Sequence, residues 1–412
     1  MPMPSPFFAG WDRATRAHYF LFRYWHLFEN DEPYIWVSSQ FDRGSVPGTV
    51  YFPRRALAVN IFPLTLDEGV LEAFETFRTD HPKPIISAKA TARPCGSVAG
   101  LFHSMHMLWN ELPGLDRIVR SGLGAALDIG VMCEPLGPMG ELFPELAGRF
   151  QPMTLDDVPA FDAAHPFMAG FGDWIIPASV QARVQRVAAR HAGPDTVRRR
   201  DAFRQAHDPI FWLSMKPPAR TCLDQGTALA ELIVRLRRAH PRAGFLLDGV
   251  SYPWDYAGNS GYMPWFREVM EGHSRGTAAV VADLLGRLPR DDADACQLLS
   301  DLPICDEIVW GEICDFYFCH GGTMQNKIGW VHGTPGMIHS NSRFMEAIRG
   351  STLLERDTLR YFLMEGSIID EDDAALTAVQ RARKDQNYRF VSMADVAEQL
   401  LAAYQNAKNG RA

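Results

Sequence analysis

The clearest evidence for the fold lies in residues 315–341, DFYFCHGGTMQNKIGWVHGTPGMIHSN. Residues 315–319 are short, apolar and aromatic, which predicts a buried strand, and residues 336–339 predict a second one. Between them, residues 320–323 predict a polar glycine turn, and residues 324–332 predict a short helix. Strand, turn, helix and strand in this order are typical of a βαβ unit in a parallel α/β sheet.

The glycine turn is the first candidate for a binding site. It offers an imidazole, two glycines and a hydroxyl, from His320, Gly321, Gly322 and Thr323. Free backbone N–H groups and the helix dipole favour an anion between a strand end and a helix start, so we predict a phosphate site there. The alternative is that the glycines serve only a tight turn. Asn326, Gln325 and Lys327 are weaker candidates, because a water-exposed helix face would carry the same residues.

The composition describes an ordinary globular protein. The chain has 412 residues, of which 47% are hydrophobic and 22% charged. This length exceeds what one hydrophobic core usually serves, which predicts two domains. The formal net charge of −8 argues against nucleic acid as a partner.

The sequence predicts no integral membrane segment. No apolar run reaches the length of a membrane span, which leaves peripheral association with a membrane as the open possibility. The first 20 residues lack a basic start followed by an apolar core, so no signal peptide is predicted. The seven cysteines are odd in number and scattered without a CxxC pair, which favours a reducing cytoplasm over a disulfide framework or a zinc site. The oligomeric state stays open.

Strands and helices alternate in both halves of the sequence. In the first half we predict strands at 34–41, 48–52, 57–62, 84–90 and 127–132, and helices at 66–78 and within 95–122. In the second half we predict strands at 209–215, 244–250 and 295–299, and helices at 225–239, 277–288, 305–314 and 393–408. Ser392 and Asp395 form the capping pattern of the last helix. A basic helical stretch at 180–207, interrupted by Gly193 and Pro194, marks the joint.

The predicted fold class is therefore α/β, with two Rossmann-like domains facing a cleft. Residues 1–190 form the acceptor-side domain, and residues 191–412 form the nucleotide-sugar-binding domain. The terminal helix 393–408 is a candidate to pack back on the first domain.

Two segments resemble glycosyltransferases of the GT-B type. Residues 319–341, CHGGTMQNKIGWVHGTPGMIHSN, are similar to the late donor-binding segment, where a glycine turn and the next helix hold the sugar nucleotide. Residues 100–115, GLFHSMHMLWNELPGL, resemble a His–aromatic–Leu-Pro helix of the EOGT-like family of O-linked N-acetylglucosamine and xylose transferases. The resemblance implies a nucleotide-sugar co-substrate, a UDP-sugar first of all, and no metal ion or other cofactor.

Three further residues are candidates for donor binding. Lys216 and Arg220 follow the first strand of the second half, and Asp248 ends the next one. The carboxyl ends of parallel strands share one edge, so cations there can stabilise a departing diphosphate. Asp248 can bind a ribose hydroxyl or cap the next turn.

The candidate catalytic base is His103, with Glu111 behind it. An acceptor hydroxyl needs an imidazole or carboxylate within hydrogen-bonding reach, and the architecture expects it from the first domain. His103 and His106 are three residues apart on one helix, a spacing that also suits a metal, but no third ligand follows at a recognised spacing.

The predicted function is transfer of a sugar from a nucleotide sugar to a hydroxyl of a glycan or protein, with inversion. One alternative is a Rossmann-type NAD-dependent oxidoreductase or a methyltransferase, although no GxGxxG follows an early strand. Another is a non-catalytic protein that binds nucleotides or sugars. It would bind nucleotide without His103 and transfer no sugar.

Overall fold

The structure of the chain is a computed structural model. It describes residues 95–100, 102–120, 122, 124–165, 168–169, 176–216, 221–322, 324–349, 361–364, 366–371 and 386–410, and the main chain of five strands before residue 61. The chain forms two compact units. Unit 1 comprises Met1–Glu134, Pro138–Val180 and Gly258–Gly261, and unit 2 comprises Pro135–Gly137, Gln181–Ala257 and Tyr262–Ala412. The predicted boundary after residue 190 stays a prediction.

The strands, in chain order, are β1 (Phe7–Trp11), β2 (Tyr19–Arg23), β3 (Tyr34–Ser38), β4 (Thr49–Phe52), β5 (Leu57–Asn60), β6 (Cys95–Ala99), β7 (Leu127–Val131), β8 (Phe150–Pro152), β9 (Met168–Ala169), β10 (Ile210–Ser214), β11 (Gly244–Asp248), β12 (Cys296–Leu298), β13 (Phe316–His320), β14 (Gly336–His339), β15 (Tyr361–Leu363), β16 (Ile368–Asp370) and β17 (Tyr388–Phe390). The α-helices span Ser104–Asn110, Leu112–Arg120, Met139–Leu142, Val158–Ala164, Ala178–His191, Pro194–Ala206, Gln225–Ala239, Pro264–Arg287, Arg290–Ala293, Ile304–Gly311, Ser342–Arg349 and Met393–Lys408, and a π-helix spans Asn326–Trp330.

The first five strands form an antiparallel sheet in the order β1-β2-β3-β4-β5. Three of them match predicted strands, but the doubly wound pattern predicted for the first half is wrong for this segment. The reason lies in the connections, since the longest run only from residue 24 to 33 and from 39 to 48. Parallel pairing needs a crossover of about a dozen residues or more.

A second sheet of unit 1 is parallel, in the order β8-β7-β6-β9. The chain leaves β6, forms the helices Ser104–Asn110 and Leu112–Arg120, and returns to β7 beside it. The predicted helix within 95–122 and the predicted strand at 127–132 form part of this βαβ crossover, whereas strand β6 was not predicted. Residues 66–78 and 84–90, a predicted helix and a predicted strand, lie outside the described residues.

Unit 2 is built on a parallel sheet in the order β12-β11-β10-β13-β14-β15. Ser214 of β10 pairs with Asp248 of β11, and Leu213 pairs with Phe318 of β13. The strands read as apolar runs because both faces are covered, as parallel sheets require. The predicted strand pair at 315–319 and 336–339 forms in parallel, and the α/β class is confirmed.

Each strand of unit 2 contributes to two cores, because side chains alternate between the faces of the sheet. Phe211 and Leu213 pack with the helices Gln225–Ala239 and Met393–Lys408 on one face. Trp212 and Leu246 pack with Trp310 and Ile328 on the other face. Helices therefore cover both faces.

The terminal helix Met393–Lys408 has the predicted bounds and the predicted cap. The Ser392 side chain accepts a hydrogen bond from the Asp395 N–H, at 3.2 Å between oxygen and nitrogen. Val396 and Leu400 are fully buried in the unit 2 core. Packing of this helix on the first domain stays a prediction.

Among the described residues, no helix is both long and apolar enough to cross a membrane.

Candidate functional site

The strand order of unit 2 reverses between β10 and β13. From β10 the sheet extends through β11 to β12 on one side, and from β13 through β14 to β15 on the other. In open α/β sheets, ligands bind outside the carboxyl ends of the strands at this reversal. Lys216 follows β10 and the glycine turn follows β13, so the structure places both at the reversal. Arg220 and Thr323 lie outside the described residues.

His320 ends β13 and is tied to the strands on both sides. Its backbone N–H donates to the Ser214 Oγ at 2.8 Å, and its Nε2 lies 3.1 Å from the Ser340 Oγ. The residue is only 1% exposed, beneath Phe344 and Tyr388. The imidazole thus anchors the turn to the sheet, and its contact with a ligand stays a prediction.

The glycines of the turn take two conformations. The buried Gly321 donates its N–H to the His339 carbonyl at 2.7 Å, which continues the β13–β14 ladder. Gly322 has a φ of +129°, a conformation that L side chains rarely adopt, and is partly exposed. Its N–H donates to the Gln325 Oε1 at 2.9 Å. The Gln325 side-chain oxygen therefore accepts a hydrogen bond from the N–H group that we expected to face a phosphate.

A second buried histidine, His339, ends β14. Its Nδ1 lies 2.6 Å from the Tyr388 hydroxyl, and its ring stacks on Phe318. Burial lowers the pKa of His339 to about 3, so the imidazole is neutral at physiological pH. Tyr388 belongs to β17, whose main chain pairs with the segment after β10 through Leu223 and Thr221. The hairpin β16–β17 thus covers the carboxyl ends of β13 and β14.

The helix after the turn faces inward rather than towards water. Asn326 and Lys327 are 1% and 4% exposed, so a water-exposed helix face does not account for these two residues, and donor binding by Asn326 stays a prediction. The segment winds as a π-helix, in which consecutive residues from Asn326 to Gly329 are buried. Lys327 forms an ion pair with Asp248, which is fully buried at the end of β11. In this structure Asp248 serves that pair, and its binding of a ribose stays a prediction.

Lys216 lines a cavity of about 300 Å³. The cavity lies between the amino end of the helix Gln225–Ala239 and the helix Pro264–Arg287. The Gln225 side chain forms two hydrogen bonds with the Lys216 backbone. Its Oε1 accepts from the Lys216 N–H at 3.1 Å, and its Nε2 donates to the Lys216 carbonyl at 2.8 Å. Burial and the nearby Lys216 charge lower the pKa of His273. The structure therefore puts a cation beside a cavity at the carboxyl edge.

The candidate base and its partner lie in unit 1, at the carboxyl end of β6. His103 is the N-cap residue of the helix Ser104–Asn110 and is half-buried. Its ring centroid lies 4.9 Å from that of His106, whose pKa burial lowers. Glu111 is buried, and its Oε1 accepts a hydrogen bond from the Gly100 N–H at 3.1 Å. The catalytic roles of His103 and Glu111 stay predictions. In the described part of the chain, no three or more His, Cys, Asp or Glu residues form a group suited to a metal ion.

Sequence reasoning missed a set of polar residues that the structure buries at this edge of unit 2. They are Ser214, Glu307, His339 and Ser340, with the partly buried Ser251 hydrogen-bonded to Glu307. Glu307 had one available signal, because a carboxylate inside the apolar run ICDEIVWG stands out. The serines had none, since isolated serines at strand ends are common in turns.

No protein-family model matches the sequence, and no curated protein matches it. Among solved structures, the UDP-GlcNAc 2-epimerase from Methanocaldococcus jannaschii aligns over 74% of this chain and 74% of its own, with 11% identity and a TM-score of 0.30. A trehalose 6-phosphate synthase from Burkholderia multivorans aligns over 66% and 62%, with 11% identity and a TM-score of 0.27.

A putative UDP-N-acetylglucosamine 2-epimerase from Listeria monocytogenes aligns over 68% of this chain and 65% of its own, with 11% identity and a TM-score of 0.26. The chain thus spans less than two thirds of the length of the Burkholderia and Listeria proteins. These are similarities only. The strand order and the contacts of this chain define its fold and its candidate site. The resemblance to the EOGT-like family stays a prediction.

Proposed function

We propose that the protein is a glycosyltransferase of the GT-B type. It transfers a sugar from a nucleotide sugar, with a UDP-sugar first among the candidates, to a hydroxyl of a glycan or protein acceptor. The reaction inverts the anomeric centre and uses no metal ion. The cytoplasm is the proposed compartment, because the cysteines are scattered, and six of the seven form no disulfide within the described part of the chain.

The observation that carries the proposal is the strand-order reversal between β10 and β13. A doubly wound sheet binds nucleotides at this reversal, and here the turn that the sequence marks as a phosphate site follows one of its two strands. The buried partners of His320 on β10 and β14 hold that turn in place. A fixed turn supports binding, because a ligand then loses less free energy to ordering the protein.

On the donor side, the diphosphate is the group that leaves. Negative charge builds up on it as the bond to the sugar breaks, and fixed cations and N–H donors stabilise that charge. Lys216 and Arg220 are the proposed cations. Gly321, Gly322 and Thr323 form the proposed turn around the phosphates, with His320 and Asn326 behind it and Asp248 beneath.

On the acceptor side, a hydroxyl oxygen attacks the anomeric carbon from the face opposite the diphosphate. The new carbon–oxygen bond forms as the bond to the diphosphate breaks, so the configuration inverts. His103 is proposed to take the hydroxyl proton, and Glu111 is proposed to position the helix that carries it. Burial of Glu111 against the Gly100 N–H supports a positioning role.

Nucleotide binding is the first test. We expect one of UDP, GDP, ADP, CDP and TDP to raise the melting temperature of the intact protein, with UDP the largest effect, because a ligand that binds only the folded state stabilises it. Lys216→Ala should reduce the shift, and His320→Ala should abolish it. The matched control is Lys408→Ala, an exposed lysine of the terminal helix.

Stabilisation by NAD or S-adenosylmethionine instead of any diphosphate would overturn the proposal and favour the oxidoreductase or methyltransferase. Transfer is then measured as UDP release from UDP-glucose, UDP-N-acetylglucosamine and UDP-xylose with candidate acceptors. His103→Ala should lose release while keeping the UDP-induced thermal shift. Unchanged release in His103→Ala removes this residue as the base.

A further inference from the structure

A buried ionic cluster lies beneath the glycine turn of unit 2. The Lys327 Nζ donates to the Asp248 carboxylate, to the Glu307 Oε2 at 2.8 Å and to the Ser251 Oγ at 2.7 Å. The Ser251 hydroxyl in turn donates to the Glu307 Oε2. We call these four residues the Lys327 cluster. Both carboxylates are fully buried, and the ammonium nearly so.

The cluster joins three segments across the end of β10. Asp248 and Ser251 come from β11 and the segment after it, Glu307 from the helix Ile304–Gly311, and Lys327 from the π-helix after the turn. Since β11 and β13 flank β10, Lys327 reaches over the β10 end to meet Asp248. This bridge lies at the strand-order reversal, beneath the proposed diphosphate site.

The charges of the cluster do not balance if every group is ionised. Two carboxylates and one ammonium leave one negative charge in an interior that solvates it poorly. The Asp248 Oδ2 and Glu307 Oε1 are buried, and neither has a hydrogen-bond partner among the described residues. A proton on one carboxyl group removes the excess charge.

We propose that the Lys327 cluster is a proton-dependent positioning device for the donor turn, in which Glu307 holds a proton at neutral pH and its loss weakens diphosphate binding. This inference rests on the proposed function for its effect on binding, but not for its effect on stability. Loss of the proton puts an uncompensated negative charge beneath a site for an anion.

The titration supports the same assignment. Burial and the neighbouring Asp248 charge raise the pKa of Glu307 to about 8, against the pull of Lys327 and Ser251. Ion pairing raises the pKa of Lys327, so the ammonium stays charged. The other titratable groups around the cluster are the Cys319 thiol near Asp248, whose pKa burial also raises, and His332, which is neutral and packs on Gly311 of the Glu307 helix.

The sign of the stability effect follows. The folded pKa of Glu307 lies above the ordinary value of 4.5, so the folded state holds a proton that the unfolded state lacks between pH 4.5 and pH 8. The stability that protonated Glu307 contributes to the folded state is fully present below pH 4.5. It is lost as the pH rises through 8.

The test measures UDP affinity by calorimetry and melting temperature at pH 7 and pH 9 for the wild type and Glu307→Gln. The phosphates of UDP do not titrate in this range, because their last pKa is about 6. We expect wild-type affinity to fall about tenfold and the melting temperature to fall by about 2–4 °C. Glu307→Gln, which has the shape of the protonated acid, should lose most of both changes.

A matched control and a second variant keep the test decisive. Glu312→Gln changes a half-exposed carboxylate one residue beyond the same helix, which pairs with Arg200, and it should behave like the wild type. Ser251→Ala removes a donor to Glu307, so it should move the midpoint of the stability loss to higher pH. If the melting temperatures of the wild type and Glu307→Gln change by the same amount between pH 7 and pH 9, the inference is wrong. If UDP fails to bind at every pH, the proposed function fails, while the melting curves still decide the cluster.

Discussion

The charged side chains at the two edges of the unit 2 sheet differ in how deeply they are buried. At the amino-terminal edge, Asp315 pairs with Arg204 at 2.6 Å and accepts a hydrogen bond from the Ile210 N–H, and both charged side chains are partly exposed. At the carboxyl edge, Lys327, Asp248 and Glu307 are buried, although exchanging buried ions for apolar groups is often neutral or stabilising. The amino-terminal edge uses its charges to join two strands. The carboxyl edge buries ionisable groups whose pKa values are shifted, which is typical of a functional site.

The largest expected effect comes from removing the buried cation. Lys327→Met leaves two buried carboxyl groups without a counter-ion, and we expect it to lower the free energy of unfolding by about 3–5 kcal/mol. Urea unfolding at pH 7 measures the change. If Lys327→Met lowers the free energy of unfolding by no more than Arg204→Met does, the expected difference between the two edges is absent.

The next effect is a loss of stability in acid. Burial holds the pKa of His339 at about 3, below its ordinary 6.5, so only the unfolded state takes up the proton as the pH falls below 6.5. Stability from this group is complete above pH 6.5 and is lost towards pH 3. Between pH 7 and pH 4 we expect a cost of about 3 kcal/mol. His339→Gln should flatten the dependence of the unfolding free energy on pH between pH 7 and pH 4, measured by urea unfolding.

A smaller effect is expected from the hydroxyl that satisfies this histidine. Tyr388→Phe leaves the buried His339 Nδ1 without its partner at 2.6 Å, which costs about 1–3 kcal/mol. Urea unfolding compares it with Tyr361→Phe, whose hydroxyl has no hydrogen-bond partner among the described residues. Equal losses in the two variants would contradict the hydrogen bond.

The smallest effect belongs to the amino-terminal edge. Arg204→Gln breaks an ion pair that water screens, and we expect it to cost about 0–1 kcal/mol and to leave UDP affinity unchanged. Urea unfolding and calorimetry check both. A loss as large as that of Lys327→Met would remove the distinction between the edges.

The parallel sheet of unit 2 was readable from the sequence, because buried parallel strands appear as continuous apolar runs. The helix Gln225–Ala239 and strand β14 have the predicted bounds, and β10 and β13 lie within one residue of theirs. The helix Pro264–Arg287 begins 13 residues before the predicted 277, because Gly272 and Gly276 hide its periodicity. The antiparallel pairing of β1–β5 depends on connection length, which strand patterns alone do not weigh.

The candidate site was readable only in part. Strand ends locate an edge, so Lys216, Asp248 and His320 could be placed there from the order of elements. Whether a polar side chain then faces water or the interior depends on the path of the next segment. Lys327 shows this, since a π-helix turns it inwards to meet Asp248. Its partners Glu307 and Ser251 come from a helix and from the segment after β11, and no local sequence pattern brings them together.

We propose that unit 2 binds a nucleoside diphosphate at the β10/β13 reversal. Hydrogen–deuterium exchange of the intact protein with and without UDP tests it most directly, because it reports which backbone amides the ligand protects. We predict slower exchange in peptides covering residues 214–226 and 319–327, with little change in those covering 194–208 at the other edge. Protection by UDP confined to segments outside these two, or none at saturating UDP, would contradict the claim.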